Sequence, residues 1–75
     1  MWFVSQVHAL YAADDNGDGW LNLTDPSTGN YTWYKIEPSL ATNALVIATG
    51  VRYANAYAEV YINGNDGLIS QIYGF

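Results

Sequence analysis

Acidic residues are crowded into one short stretch of this chain, at Asp14, Asp15, Asp18 and Asp25. Carboxylates placed so close together repel one another unless a cation lies among their oxygens. Calcium is a hard cation that takes six to eight oxygen ligands, and a short loop supplies them by wrapping around the ion. The crowding therefore predicts a divalent cation site, with calcium as the favoured ion.

The order of residues within 14–25 matches a twelve-residue calcium loop, in which fixed positions supply the oxygens. Gly19 at loop position 6 permits the sharp turn, and Leu21 at position 8 provides an apolar anchor into the core. Trp20 would contribute its backbone carbonyl, and Asn22 would bind directly or through water. The predicted ligands are Asp14, Asn16, Asp18, Trp20, Asn22 and Asp25.

The segment resembles the calcium loop of EF-hand proteins and, in detail, the loop of dockerin modules. Dockerin loops are similar in their D-x-N-x-D-G order, in a small polar residue at position 9 and in Asp at position 12. The resemblance covers residues 14–25 and implies calcium as the bound ion. Dockerins pair two loop-helix units to bind a cohesin partner, whereas here a turn at 26–30 follows the loop and no second loop is evident. The resemblance therefore implies calcium binding more than cohesin recognition.

A plainer interpretation of the same segment stays open. Asp and Asn side chains cap their own backbone in turns, so the loop could hydrogen-bond to itself and bind nothing. Such turns do not by themselves explain the acid at position 12, which is Asp25. The calcium interpretation is favoured on that ground.

Aromatic residues form the second candidate site. Tyr53, Tyr57 and Tyr61 fall on one face of a strand predicted over 51–62, because side chains alternate between the faces of a strand. Trp33 and Tyr73 would lie next to them on neighbouring strands. Such a face could bind sugar rings or a protein partner. Cross-strand packing or a subunit contact is the commoner role, and a contact in a homo-oligomer is its favoured form.

The elements that must position these residues begin with a predicted helix over 2–13. Phe3, Val7, Leu10 and Tyr11 recur at helical spacing and form one apolar stripe. The glycine-rich stretch 14–30 is expected to be a loop. Strands and a hairpin turn follow, and the predicted strands cover 31–37, 44–49, 51–62 and 68–73, with the turn at 63–67.

The predicted fold class is therefore α+β, with an N-terminal helix packed on a small antiparallel β-meander of three to four strands. The alanine-rich face of the strand over 51–62 would let that helix pack closely. The alternative is a helix over 39–49, which Pro38 could open.

Length and composition limit the remaining possibilities. The chain has 75 residues, which predicts a single domain over 1–75, and it has no cysteine to staple a small core. Lys35 and Arg52 are its only basic residues and the net charge is −5, so nucleic-acid phosphates are poor partners. No segment is long enough to span a membrane. His8 has no second histidine or cysteine for zinc, and no nucleophile motif is evident, so an enzyme is not expected.

The sequence favours two functions over a third, a small hydrolase. The first is a non-enzymatic, calcium-stabilised interaction or assembly module that works outside the cytoplasm, in an extracellular or cell-surface setting, with a protein partner or with itself. The second is a self-assembling structural subunit of a surface or virion that uses the tyrosine-rich face and needs no metal.

Overall fold

Strands dominate the computed structural model, which describes residues 1–13 and 17–75. A short 3₁₀ turn at Pro38–Leu40 leads into one α-helix, α1, at Ala41–Tyr53. The strands are β1 at Trp2–Ser5, β2 at Ala9–Ala13, β3 at Asp18–Thr24, β4 at Tyr31–Lys35, β5 at Ala58–Ile62 and β6 at Ile69–Gly74. Within the described residues the protein is thus mainly β, with its helix in the middle of the chain.

The strands form two antiparallel sheets of three strands each, ordered β1-β5-β6 and β2-β3-β4. The end of β4 joins the two sheets, because Ile36 makes a parallel bridge to Ile69. The Glu37 backbone N–H donates to the Ile69 carbonyl at 2.8 Å, and the Ile36 N–H donates to the Gly19 carbonyl at 2.7 Å. Ile36 therefore connects strands of both sheets.

The core lies between the inner faces of the sheets and α1. In β3, for example, Gly19, Leu21 and Leu23 point inward while the residues between them point outward. This alternation is expected of a strand with one buried face. The buried apolar side chains are Phe3, Val7, Leu21, Leu23, Ile36, Ala41, Ala44, Ala48, Val51, Ala58, Val60 and Ile69.

Small residues let α1 approach the sheets closely. The helix buries three alanines, at 41, 44 and 48, and Val51, which recur at the spacing of one helix face. A Cβ added to Gly19 would lie 3.2 Å from the side chains of Ile36 and Leu45. A Cβ added to Gly74 would lie 2.6 Å from Cγ2 of Val51. The packing of α1 thus depends on short side chains on both surfaces.

The predicted helix over 2–13 is wrong, because β1 and β2 occupy this segment. Phe3 points inward from β1, Val7 is buried in the connection between the strands, and Leu10 packs against the core from β2. Tyr11 is 55% exposed on the outer face of β2. The helical spacing thus spans two strands and a connection, and the predicted N-terminal helix on a meander is replaced by two sheets.

The predicted strand over 44–49 is also wrong, and the alternative helix after Pro38 is confirmed by α1. Pro38 stands at the first position of the 3₁₀ turn, where its missing N–H leaves no bond unmade. The strand predicted over 51–62 is confirmed only for Ala58–Ile62, since residues 51–53 are helical. Asn55, with φ of 52°, lies in the turn that separates α1 from β5.

Two other local predictions are confirmed. The strand predicted over 31–37 matches β4, and the turn at 63–67 followed by a returning strand matches the β5–β6 hairpin. The loop predicted over 14–30 is wrong for Asp18–Thr24, which forms the central strand of its sheet.

No helix in the described part of the chain is long and apolar enough to cross a membrane.

Candidate functional site

The predicted calcium ligands fall into three groups. Asp14 and Asn16 lie outside the described residues. Asp18 begins β3, and Asp25 follows its last residue. Seven steps along an extended chain separate Asp18 from Asp25 by roughly 20 Å, whereas two ligands of one calcium ion lie within about 5 Å of each other. The structure therefore does not bring Asp18 and Asp25 together.

Three predicted ligand residues lie in β3, and their side chains are on the outer face of β2-β3-β4. They are Asp18, Trp20 and Asn22. A carboxylate oxygen of Asp18 lies 3.5 Å from Nζ of Lys35, which in turn lies 6.0 Å from the centre of the Trp20 ring. Asn22 is opposite Ala9 on one side and Trp33 on the other. The Oδ1 atom of Asn22 is buried and has no hydrogen-bond partner among the described residues. Asp18 of β3 is thus paired with Lys35 of the neighbouring strand β4.

Asp25 has a local role in the turn between β3 and β4. Its Oδ1 atom accepts a hydrogen bond from the Ser27 backbone N–H at 2.7 Å. The Asp25 N–H donates to the Asn30 carbonyl at 2.8 Å, and the Gly29 N–H donates to the Asp25 carbonyl at 2.8 Å. Gly29 adopts φ of 77°, which glycine reaches without strain. The Asp25 side chain therefore closes an Asx turn.

The same turn recurs between β5 and β6, with Asn63 in place of Asp25. The Asn65 N–H donates to Oδ1 of Asn63 at 2.9 Å. The Asn63 N–H donates to the Leu68 carbonyl at 2.9 Å, and the Gly67 N–H donates to the Asn63 carbonyl at 2.8 Å. A neutral Asn thus does in one hairpin what Asp25 does in the other. The turn gives a structural reason for an Asx residue at this position that involves no metal.

Substitutions at Asp25 separate a role in the Asx turn from a role in calcium binding. We expect Asp25→Asn to change the free energy of unfolding by less than about 0.5 kcal/mol, because the amide oxygen can accept the same bond. Asp25→Ala should lower it by about 0.5–1.5 kcal/mol through loss of the turn bond. Urea denaturation of both variants measures the difference. A calcium-dependent rise in stability that Asp25→Asn abolishes would contradict the turn as the sole role of Asp25.

Within the described residues, no three His, Asp or Glu side chains are grouped closely enough to hold one metal ion. Calcium binding that involves Asp14 and Asn16 stays a prediction, since these residues lie outside the described part.

The outer face of β1-β5-β6 is the most apolar exposed part of a sheet. Trp2 meets Tyr61 edge-on, with ring centres 5.3 Å apart, and its ring centre lies 6.2 Å from that of Tyr73. The rings of Tyr73 and Phe75 are 5.9 Å apart. Phe75 exchanges backbone hydrogen bonds with Tyr57 just beyond the strand ends, at 2.9 and 3.1 Å. This surface, called the aromatic face below, consists of Trp2, Val4, Tyr57, Tyr61, Tyr73 and Phe75.

Polar groups on the aromatic face are few, and its one carboxylate is hydrogen-bonded. In register, Glu59 lies between Val4 and Tyr73, and Gln71 lies opposite Tyr61. The Tyr73 hydroxyl donates a hydrogen bond to the Glu59 carboxylate. This bond, followed by desolvation and the negative charge of Glu59, raises the pKa of Tyr73 above its usual value. The charge of Glu59 thus already has a partner within the face.

The structure brings together only part of the predicted tyrosine face. Tyr57, Tyr61 and Tyr73 lie on the aromatic face. Tyr53 instead belongs to α1 and is 89% exposed. Trp33 belongs to β4 in the other sheet, where its ring centre lies 6.4 Å from that of Tyr11.

Sequence reasoning missed three members of the aromatic face, Trp2, Val4 and Phe75. The signal for the first two was present, because apolar residues alternate with the inward-facing Phe3 and Ser5. For Phe75, its spacing of two residues from Tyr73, just beyond the end of β6, gives the same indication.

The chain matches no protein-family model, no curated protein and no solved structure.

Proposed function

We propose that the protein is a non-enzymatic assembly module that pairs with copies of itself through the aromatic face. The observation that carries the proposal is the cluster of contacting rings on a solvent-facing sheet. Trp2 is 45% exposed, Tyr73 is 49% exposed and Phe75 is 63% exposed. Contiguous apolar patches of this kind mark interaction sites, and tyrosine and tryptophan are the residues that most often dominate such contacts.

Charge favours a second copy on this face. Copies of a chain with net charge −5 repel one another, so the contact needs a surface with little charge. Among the described residues, Glu59 is the one acidic or basic side chain that lies in register with the aromatic face, and it is hydrogen-bonded to Tyr73. The outer face of β2-β3-β4 carries Asp18 and Lys35 instead. Self-association through the aromatic face therefore brings together one acidic side chain from each copy, rather than the whole net charge of the chain.

The expected affinity is modest. Burying the exposed half of one large ring contributes about 2 kcal/mol, and association costs about 4–15 kcal/mol in lost freedom. Several rings on each copy must therefore be covered at once. We expect dimerisation in the micromolar range, where the free energy of binding is about −8 kcal/mol. The proposal requires no metal at the contact, and calcium binding and an extracellular or cell-surface setting stay predictions beside it.

Two tryptophan substitutions test the proposal. Trp2 and Trp33 are exposed to nearly the same extent, 45% and 47%, but lie on different sheets. We expect Trp2→Ala to weaken self-association about tenfold or more, as truncation of a central aromatic does. Trp33→Ala should leave it unchanged. Sedimentation equilibrium over a series of concentrations measures the dissociation constant of each protein.

Circular dichroism of both variants controls for loss of the fold. A wild-type protein that stays monomeric up to about 1 mM, where binding is worth only about 4 kcal/mol, would overturn the proposal. Equal weakening by the two substitutions would also contradict it, because the contact would then not be specific to the aromatic face.

A further inference from the structure

A groove lies between the β1–β2 connection and the C-terminal part of α1, and it encloses about 820 Å³. Its lining includes Gln6, His8, Tyr31, Arg52, Tyr53 and Asn55. None of these residues belongs to the aromatic face. An open concave site with a few converging polar groups is where a ligand is expected to bind.

Hydrogen bonds fix the polar groups of the groove in place. Nη1 of Arg52 donates to the carbonyls of Val7 at 3.1 Å and His8 at 2.5 Å, which ties the connection to the helix. The His8 ring stacks on Tyr31 with centres 3.7 Å apart, and its Nε2 lies 2.8 Å from Oγ1 of Thr24. The site is therefore formed before a ligand arrives, which lowers the entropic cost of binding.

The charge of the groove is opposite to that of the protein. The chain has seven acids and two bases, yet one of those bases and the lone histidine line the groove with no carboxylate among the lining residues. Lys35 has a carboxylate 3.5 Å away, that of Asp18. Arg52 has none within 4.0 Å among residues 1–13 and 17–75. Within the described part of the chain, its guanidinium charge is thus left for an external anion.

The guanidinium still has donors to offer. An arginine side chain carries five N–H groups in a rigid fork. Among the described residues, both hydrogen bonds of Arg52 use Nη1 and end on carbonyl oxygens, so within that part of the chain Nε and Nη2 remain for a ligand. Paired donors of this kind suit a carboxylate, which can accept two parallel bonds.

The walls of the groove are apolar and aromatic. Tyr31 is 67% exposed and Tyr53 is 89% exposed, while Val51 and Ala56 contribute aliphatic lining. Aromatic side chains pack well against a planar apolar ring. The ligand that fits both features has a flat ring and a carboxylate.

We propose that this groove binds an aromatic carboxylate, with Arg52 pairing with the carboxylate and Tyr31 and Tyr53 flanking the ring. The site is independent of the aromatic face and of self-association. Free small molecules and the C-terminal residue of a peptide can both present this chemistry, and the test separates them.

The test titrates wild-type protein with phenylacetate and follows amide and guanidinium signals by NMR. We expect shifts centred on Arg52, His8 and Tyr31, with a dissociation constant of about 1 mM for so small a ligand. Phenylacetamide, which has the same shape without the charge, should bind about tenfold or more weakly, as expected for loss of a charge-assisted pair. A short peptide ending in phenylalanine, compared with its amidated form, shows whether a peptide terminus binds more tightly than the free acid.

Arg52→Gln should weaken phenylacetate binding about tenfold, and Lys35→Gln, which removes the other base, should not change it. If Arg52→Gln fails to fold, the wild-type comparison of phenylacetate with phenylacetamide decides. Equal binding of these two ligands would overturn the proposal, as would saturating phenylacetate that leaves the groove signals unmoved.

Discussion

Replacing Ile36 by alanine should lower the free energy of unfolding by about 2–5 kcal/mol. Ile36 is fully buried, and it bridges to Ile69 of the other sheet while its N–H bonds to Gly19. The truncated side chain would leave a cavity at the junction of the two sheets, where neither sheet can close the gap alone. A chain of 75 residues is expected to have a total stability of roughly 4–11 kcal/mol, so this change should unfold a measurable fraction of the protein.

Thermal and urea denaturation of Ile36→Ala measure the loss, with Ile47→Ala as the matched control. Ile47 undergoes the same chemical change on α1 at 37% exposure, and alanine is the better helix former. We expect the control to lose less than about 1 kcal/mol. Similar losses for the two variants would show that the sheet junction is not a centre of stability.

The parts of the fold that sequence predicts correctly are those with local causes. The β4 strand is rich in aromatic residues, and the turn at 63–67 has Asn, Asp and Gly where positive φ and Asx bonds are needed. Propensity and turn chemistry act within a few residues, so they can be evaluated without the rest of the fold. These signals place β4, the last hairpin and β6.

The structure of residues 2–13 could not be predicted from residue spacing, because the chain changes direction between β1 and β2 within this segment. Phe3 and Leu10 have helical spacing, but one lies in β1 and the other in β2, and these strands belong to different sheets. A periodic count cannot distinguish one helical stripe from two strands joined by a buried residue such as Val7. The pairing of β1 with β5, which is distant in sequence, decides the outcome.

The exposed residues of α1 made its segment resemble a strand in the sequence. Val46 and Ile47 favour a strand, but both are more than one-third exposed, so packing does not use them. The buried positions are small, and three alanines give a weak hydrophobic signal. These alanines favour a helix, and their short side chains let it pack closely against the glycines of the sheets.

The candidate sites show the same division between local and long-range causes. The tyrosines at 57 and 61 could be found from alternation along one strand, whereas their contact with Trp2 requires β1 to pair with β5. The groove combines residues from β1–β2, β4 and α1, and no sequence motif joins them. Asp25 is the opposite case, since an Asx turn and a calcium loop use the same side chain, and local sequence alone does not choose between them.

Adding one methyl group at Gly74 should destabilise the protein by about 1–3 kcal/mol, as overpacking of a tight contact does. The new Cβ would lie 2.6 Å from Cγ2 of Val51, so either β6 or α1 must move. Gly64→Ala is the matched control, because nothing lies within 4 Å of a Cβ at that position. We expect the control to be within about 0.5 kcal/mol of wild type.

The reason for the effect can be isolated by a second change at the contact. Val51→Ala removes the opposing methyl groups. The loss in free energy of unfolding of the double variant should therefore be smaller than the sum of the two single losses, by about 1 kcal/mol or more. Urea denaturation of all four proteins completes the cycle. Strictly additive losses would mean that Gly74 is needed for its backbone and not for the approach of α1 to the sheet. A combined loss smaller than the sum would instead show that Gly74 allows α1 to approach the sheet. The position of α1, which forms one wall of the groove, would then depend on the absence of a side chain at Gly74.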